Sequence, residues 1–188
     1  MAEDERFGSE LITIDVERHG MVVINRDDDR ARYSAGGWLT GSRPAAEGVG
    51  RPVRMLVEVL RRFGGHVPRA LLGGEFLPAG RDHSATIEVG YVAGAGESAV
   101  ASCPSRLWNR PFCAGLPEEF ASAVLDGLVD TGARLPPGVL RVDRAGFDEV
   151  ESSAWVFGLA ANVLGCGLVA MFTDANVEAE IRRLISTW

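Results

Sequence analysis

Twenty residues near the C-terminus constrain this chain more than any other stretch. Gly146 to Gly165 reads "GFDEVESSAWVFGLAANVLG": the end of a strand, a tight acidic corner, a pair of serines, then a helix that is apolar on nearly every side. Such a helix has no wet face to offer, so the rest of the chain has to cover it. Ser152 or Ser153 is placed to cap it, with Val156, Leu159, Ala160 and Val163 on the buried face. Glu149 and Glu151 suit the positive end of the helix dipole. Asp148 is not needed for capping. Its role is the question the corner raises, and an exposed recognition tip is one answer.

The elements that could cover this helix are spread along the chain. Leu11 to Glu17, "LITIDVE", alternates apolar and polar residues and reads as a half-buried strand, and Met21 to Ile24 runs back as its partner. Asp27, Asp28 and Asp29 lack the alternation and glycine of a calcium loop and read as a solvated turn before a short strand at Trp38. From Gly50 to Gly64 the spacing of Val53, Leu56, Val57, Leu60 and Phe63, with Pro52 in front and Gly64-Gly65 behind, predicts a helix with Arg54, Arg61 and Arg62 on its wet side. Strands are expected at Glu75 to Leu77, over "ATIEVGYVAG" and near Ser98 to Ser102, with "GAGE" as a hairpin turn. "CPSRLWNRPFCAG" is a loop folded onto the core through Trp108 and Phe112. Pro117 opens a helix marked by Phe120, Val124 and Leu128; "VLRVDRA" is a strand. After the acidic corner and its helix, "GLVAMFT" reads as a last strand, and Asp174 or Asn176 caps a final helix with Glu178 facing Arg182. Hairpins and helices in separate runs make an α+β fold.

Composition narrows the chemistry. With 188 residues, 46% hydrophobic and 24% charged, the chain has the balance of an ordinary globular protein. No run reaches 18 apolar residues and the start "MAEDERFGSE" has no signal-peptide pattern, so neither a membrane nor a secretory route is expected, and the cytoplasm is. Cys103, Cys113 and Cys166 lack CxxC spacing, which argues against a disulfide framework or a zinc site. Every basic residue is arginine. Without lysine there is no Walker A loop, no Schiff base and no kinase lysine, and no nucleotide or other cofactor is expected. The net charge of −7 falls after residue 69, since residues 1–69 carry 11 arginines and 11 acids. Any RNA contact therefore has to be local.

From Gly73 the order is strand, turn, strand, strand, helix, strand, acidic corner, helix. Gly146, Phe147, Asp148, Glu149, Val150, Glu151, Ser152 and Ser153 followed by "AWVFGLAANVL" resemble the Gly-Ser-Tyr-His-Asp-Val-Asp-Ser-Ser stretch and helix of domain IV of elongation factor G and the ribosomal-protection factors. Pro117, Glu119, Phe120, Ala123, Val124 and Gly127 resemble that family's Pro-x-Glu-Tyr-x-x-Ala-Val-x-x-Gly helix, and "GEFLPAGRDHSATIEV" is loosely similar to its Arg-Gly-Gln-Tyr loop. The resemblance covers about residues 70–165. It implies an elongation-factor-G domain-IV-like sheet with two packed helices over 70–188, ending in a strand and helix, plus an N-terminal hairpin and helix segment over 1–69 packed on it. It implies recognition without a nucleotide-binding motor, and a tip built from Arg81, His83, Asp148 and Glu149. Asp148 stands where the family has histidine, so an anion replaces a cation-capable donor.

Three functions follow. A stand-alone, non-catalytic module would touch the ribosome or RNA through those tip loops, helped by Arg106, Trp108 and Arg110, which interleave arginine with an aromatic as single-strand binders do. A protein-interaction or assembly module, with a protein partner or a second copy, would use an exposed Trp38 or Trp108 as its anchor. An enzyme would need His83 beside Asp82 as a base and Cys103 or Cys113 as a nucleophile, with His83, Asp148 and a cysteine converging in one cleft; no nucleophile motif assigns a catalytic residue, and no metal ligands are expected.

Overall fold

The structure is a computed structural model that describes residues 11–26, 29–48, 50–79, 84–93, 102–130 and 134–188. It is α+β. The strands β1 (Leu11–Val16), β2 (Gly20–Asn25), β3 (Gly37–Pro44), β4 (Val53–Arg61), β5 (Arg69–Pro78), β6 (Ser84–Tyr91) and β9 (Gly138–Phe147) form one sheet in the order β1-β2-β4-β5-β9-β6-β3. The short β7 (Ser102–Cys103) and β8 (Phe112–Ala114) attach through β9. Among the described strands, only β6 and β9 run parallel; α1 (Glu118–Asp130) lies in the connection between them. The helices α2 (Ala154–Phe172) and α3 (Val177–Ile185) complete one layer on a single face of the sheet. The main core lies between that layer and the inward side chains of the strands, among them Val22, Val57, Leu72, Val142, Phe157 and Leu164. Strands drawn from residues 1–69 and from 70–188 hydrogen-bond directly, β4 on β5.

Two expected elements change type. The helix placed over residues 50–64 is the strand β4. Val53, Met55, Val57 and Val59 enter the helix-side core, while Leu56, Glu58 and Leu60 are buried on the opposite face. A strand buried on both faces loses its alternation, and its apolar residues then fit a helical period by coincidence. Phe63, counted in the helical stripe, lies in the turn beyond β4 and is 61% exposed. The last strand expected at "GLVAMFT" is instead the second half of α2. Gly167, which opens that stretch, sits inside the helix and packs closely: a Cβ there would stand 2.8 Å from the Met55 sulfur. The 19-residue α2 is long and apolar enough to cross a membrane by composition, but 10 of its residues are buried, and it packs on β4, β5, α1 and α3.

Other expectations hold. Ser153 caps α2, accepting from the Val156 N–H, and Asn176 rather than Asp174 caps α3. Glu178 and Arg182 pair at 3.0 Å. Val124 and Leu128 of α1 are buried, and Phe120 stacks on Phe157 with centroids 5.3 Å apart. The helices α1 and α2 meet closely at Gly127, where a Cβ would lie 2.9 Å from the Gly158 carbonyl oxygen.

Candidate functional site

Among the described residues, no helix packs on the second face of the sheet. Irregular segments cover it instead, held by charged side chains that the strands bury. A one-residue bulge on β9 sets this up: Gly73 faces Arg144 and Gly74 faces Val142, so Asp143 is extra. The slip reverses the facing of the residues beyond it. Arg144 is thereby buried on the second face, bonded to Asp143 (2.8 Å) and Asp29 (3.0 Å). The Arg144 hydrogen bond holds the Asp29 carboxyl below the usual carboxylate range. Thus Asp29, expected in a solvated turn, closes a buried arginine. Asp27 and Asp28 lie outside the described residues.

On β4, Glu58 is 2% exposed. Its carboxylate accepts from the Ser105 hydroxyl, from the Arg106 N–H at 2.8 Å and from the Leu107 N–H at 3.0 Å. Ser105 Oγ in turn accepts from the Trp108 N–H at 2.9 Å. On β5, Arg69 is 1% exposed. Its guanidinium donates to the carbonyls of Arg110 (2.7 Å) and Pro111 (3.1 Å), bonds the Asp148 carboxylate, and lies 4.3 Å over the Phe112 ring. Loop 104–111 is therefore pinned at both ends by opposite buried charges on neighbouring strands. Below it Leu56, Leu71, Cys103 and Phe112 form a small second core.

Asp148 is the centre of the acidic corner, and it is buried rather than displayed, at 5% exposure. Its Oδ1 accepts from the N–H groups of Val150 (2.9 Å) and Glu151 (3.1 Å), and its own N–H donates to Ser152 Oγ at 2.9 Å. The Ser152 hydroxyl donates to the Arg69 carbonyl at 2.7 Å, and the Arg69 N–H donates to the Glu151 carbonyl at 3.1 Å. Burial pushes the Asp148 carboxyl up, but the Arg69 guanidinium and the two backbone N–H groups outweigh it and hold the group below the usual carboxylate range. The corner thus locks β9 to β5 and completes the charge of the buried arginine. Glu149 beside it is exposed.

Arg81 and His83 lie outside the described residues. The strands on either side of them are described. Pro78 and Ala85 both pair with Gly138 at the start of β9, whereas Asp148 follows its far end. The 10 residues of β9 separate those ends, about 30 Å of strand. The end of β5, the start of β6 and the acidic corner do not meet in one tip. The structure does bring Arg106, Trp108 and Arg110 together on the pinned loop. Arg106 and Arg110 are exposed, Trp108 is 39% exposed, and Arg110 comes within 3.9 Å of Asp148. Phe112 packs inward as expected; Trp108 does not.

The same end of the sheet gathers further exposed apolar groups. Phe63 and Trp155 meet edge to face at 5.6 Å, and Val150 in the corner is 72% exposed. Phe63 lies in the β4–β5 turn, Val150 in the corner, and Trp155 at the start of α2. Sequence reasoning missed Glu58 and Arg69. The available signal was a lone acid inside "VRMLVEVLR", since a carboxylate in a β-branched run needs buried donors.

A shallow pocket of about 190 Å³ lies between Arg30, Arg32, Ser102 and Cys103. Cys103 is only 3% exposed, and all three cysteines are free thiols. Among the described residues, no three His, Cys, Asp or Glu side chains converge as metal ligands would. Compared with protein-family models, with curated proteins and with solved structures, the chain finds no match in any of the three.

Proposed function

We propose that this protein is a cytoplasmic binding module, that its recognition element is loop 104–111 with the aromatic groups beside it, and that its partner is another protein. One observation carries the reading. The loop backbone is fixed by Glu58, Ser105 and Arg69, while Arg106, Trp108 and Arg110 face solvent. A loop that served only to cover Leu56 and Leu71 would turn Trp108 inward beside Phe112. Fixing the backbone in advance reduces the ordering cost of association. Tryptophan and arginine are the side chains that most often dominate an interface. Phe63, Val150 and Trp155 extend the apolar surface at the same end.

The resemblance to elongation factor G domain IV supports a second reading, contact with ribosomal RNA. The alternation of Arg106, Trp108 and Arg110 favours it by offering a stacking plane between two cations. The exposed Glu149 and the net charge of −7 weigh against it.

One experiment separates the two. Wild type, Trp108→Ala and Arg106→Ala/Arg110→Ala retain partners from a lysate, and any retained protein is purified and recombined with wild type alone. A complex re-formed from two pure proteins and lost in Trp108→Ala, at unchanged melting temperature, supports the protein reading. In parallel, ribosomes and subunits are pelleted at about 50 and 200 mM salt. Salt-sensitive pelleting lost in the double arginine variant assigns the loop to RNA. Neither complex nor pelleting would remove the binding role from this loop.

A further inference from the structure

We propose that the β3 edge joins two copies of this chain into a dimer with one continuous sheet. The sheet has two edges, and they are treated differently. At β1, Arg182 of α3 donates to the Asp15 carbonyl at 2.9 Å and Arg62 bonds the Asp15 side chain, so that edge is guarded by side chains and partly covered by α3. At β3, eight residues pair with β6, and among the described residues no further strand pairs with it. Alternate N–H and C=O groups of β3 therefore face away from the molecule. Among the described residues the edge is lightly guarded: Pro44 stands at the very end, and the Arg43 guanidinium folds back to the Val129 carbonyl at 3.3 Å.

The sequence of β3 suits antiparallel pairing with itself. A twofold axis at Thr40 sets Thr40 against Thr40 of the second copy, Trp38 against Ser42, and Leu39 against Gly41. Threonine pairs well with threonine across strands. Leu39 of the second copy would pack beside Gly41, next to the Leu125 and Val129 side chains, which stand 3.0 and 3.2 Å from where a Gly41 Cβ would lie. Leu39, Leu125 and Val129 are each half-buried in the single chain, so pairing would cover an apolar strip on the helix side of the edge. Such an interface is the same on both partners and closes on itself.

Sedimentation equilibrium of the full chain tests this, with Thr40→Lys, Thr40→Cys and Thr13→Cys as variants. Thr40 and Thr13 are both exposed, on β3 and β1 respectively, so neither change disturbs the core. The expected result is a wild-type mass of twice 20.1 kDa. Thr40→Lys should weaken the dimer about tenfold or more by facing two cations across the axis, and Thr40→Cys should form an interchain disulfide under oxidation that Thr13→Cys does not. A monomer at every soluble concentration overturns the proposal. So does a dimer that is unchanged by Thr40→Lys and not linked through Thr40→Cys.

Discussion

Replacing Arg69 by methionine tests the organisation of the second sheet face most directly. Methionine keeps much of the apolar stem but removes the guanidinium, and with it the bonds to the Arg110 and Pro111 carbonyls, the Asp148 ion pair and the contact with Phe112. Asp148, at 5% exposure, then keeps only the Val150 and Glu151 N–H groups and a distant Arg110 at 3.9 Å. Removing one partner of a buried pair costs about 3–5 kcal/mol. In a chain of this size each kcal/mol moves the melting midpoint by about 2–4 °C, so a drop of roughly 10 °C is expected by circular dichroism. A second readout locates the damage. The chain has no lysine, so trypsin cuts only after arginine, and Arg106 lies in the pinned loop. Cleavage there, followed by mass spectrometry, should accelerate in Arg69→Met more than in an equally destabilised variant altered at a distance. Arg69→Met/Asp148→Asn, which also removes the stranded charge, should be less destabilised than the single variant. A single-variant loss below about 1 kcal/mol, the worth of an exposed ion pair, with no faster cleavage after Arg106, would refute the reasoning.

Further predictions follow from the same geometry. Glu58→Gln keeps the shape but turns one of the two accepting oxygens into a donor, facing the N–H of either Arg106 or Leu107; a loss of about 1–3 kcal/mol is expected, with a change in Trp108 fluorescence, measured by urea titration. Asp148 has its native pKa held down, so its stabilisation is complete above the unfolded value of about 3.9 and is lost as pH falls through the native value, where the unfolded chain takes up the proton first. Acid titration of wild type should therefore steepen below about pH 4, and Asp148→Asn should flatten that slope while lowering stability at neutral pH. Gly127→Ala sets a methyl group 2.9 Å from the Gly158 carbonyl oxygen and should cost about 1–3 kcal/mol in thermal melts. Ser153→Ala removes the α2 cap, for an expected loss of about 1 kcal/mol.

How much of this was legible in advance depends on whether the physics was local. The β1–β2 hairpin, both serines and the amphipathic α3 follow from alternation, capping chemistry and a 3.6-residue stripe, which neighbouring residues alone enforce. The covering loop was legible as a loop anchored on the core by Phe112, but not the outward position of Trp108, which was expected to turn inward with it. The type of β4 was not legible, because burial on two faces erases the alternation that marks a strand. The join of α2 into one helix was not legible either, because the short apolar run "GLVAMFT" fits a buried strand as well as a buried helix, and only its packing, with Met55 against Gly167, decides. Asp148 shows the limit most clearly. Its carboxylate meets Arg69, 79 residues away in the chain, so its burial depends on β5 and β9 lying side by side. By itself the sequence determined that a buried helix follows an acidic corner, and that lysine chemistry is excluded. Only the tertiary structure decided that the corner's central acid faces inward, because the partner that makes a buried charge tolerable comes from a distant strand.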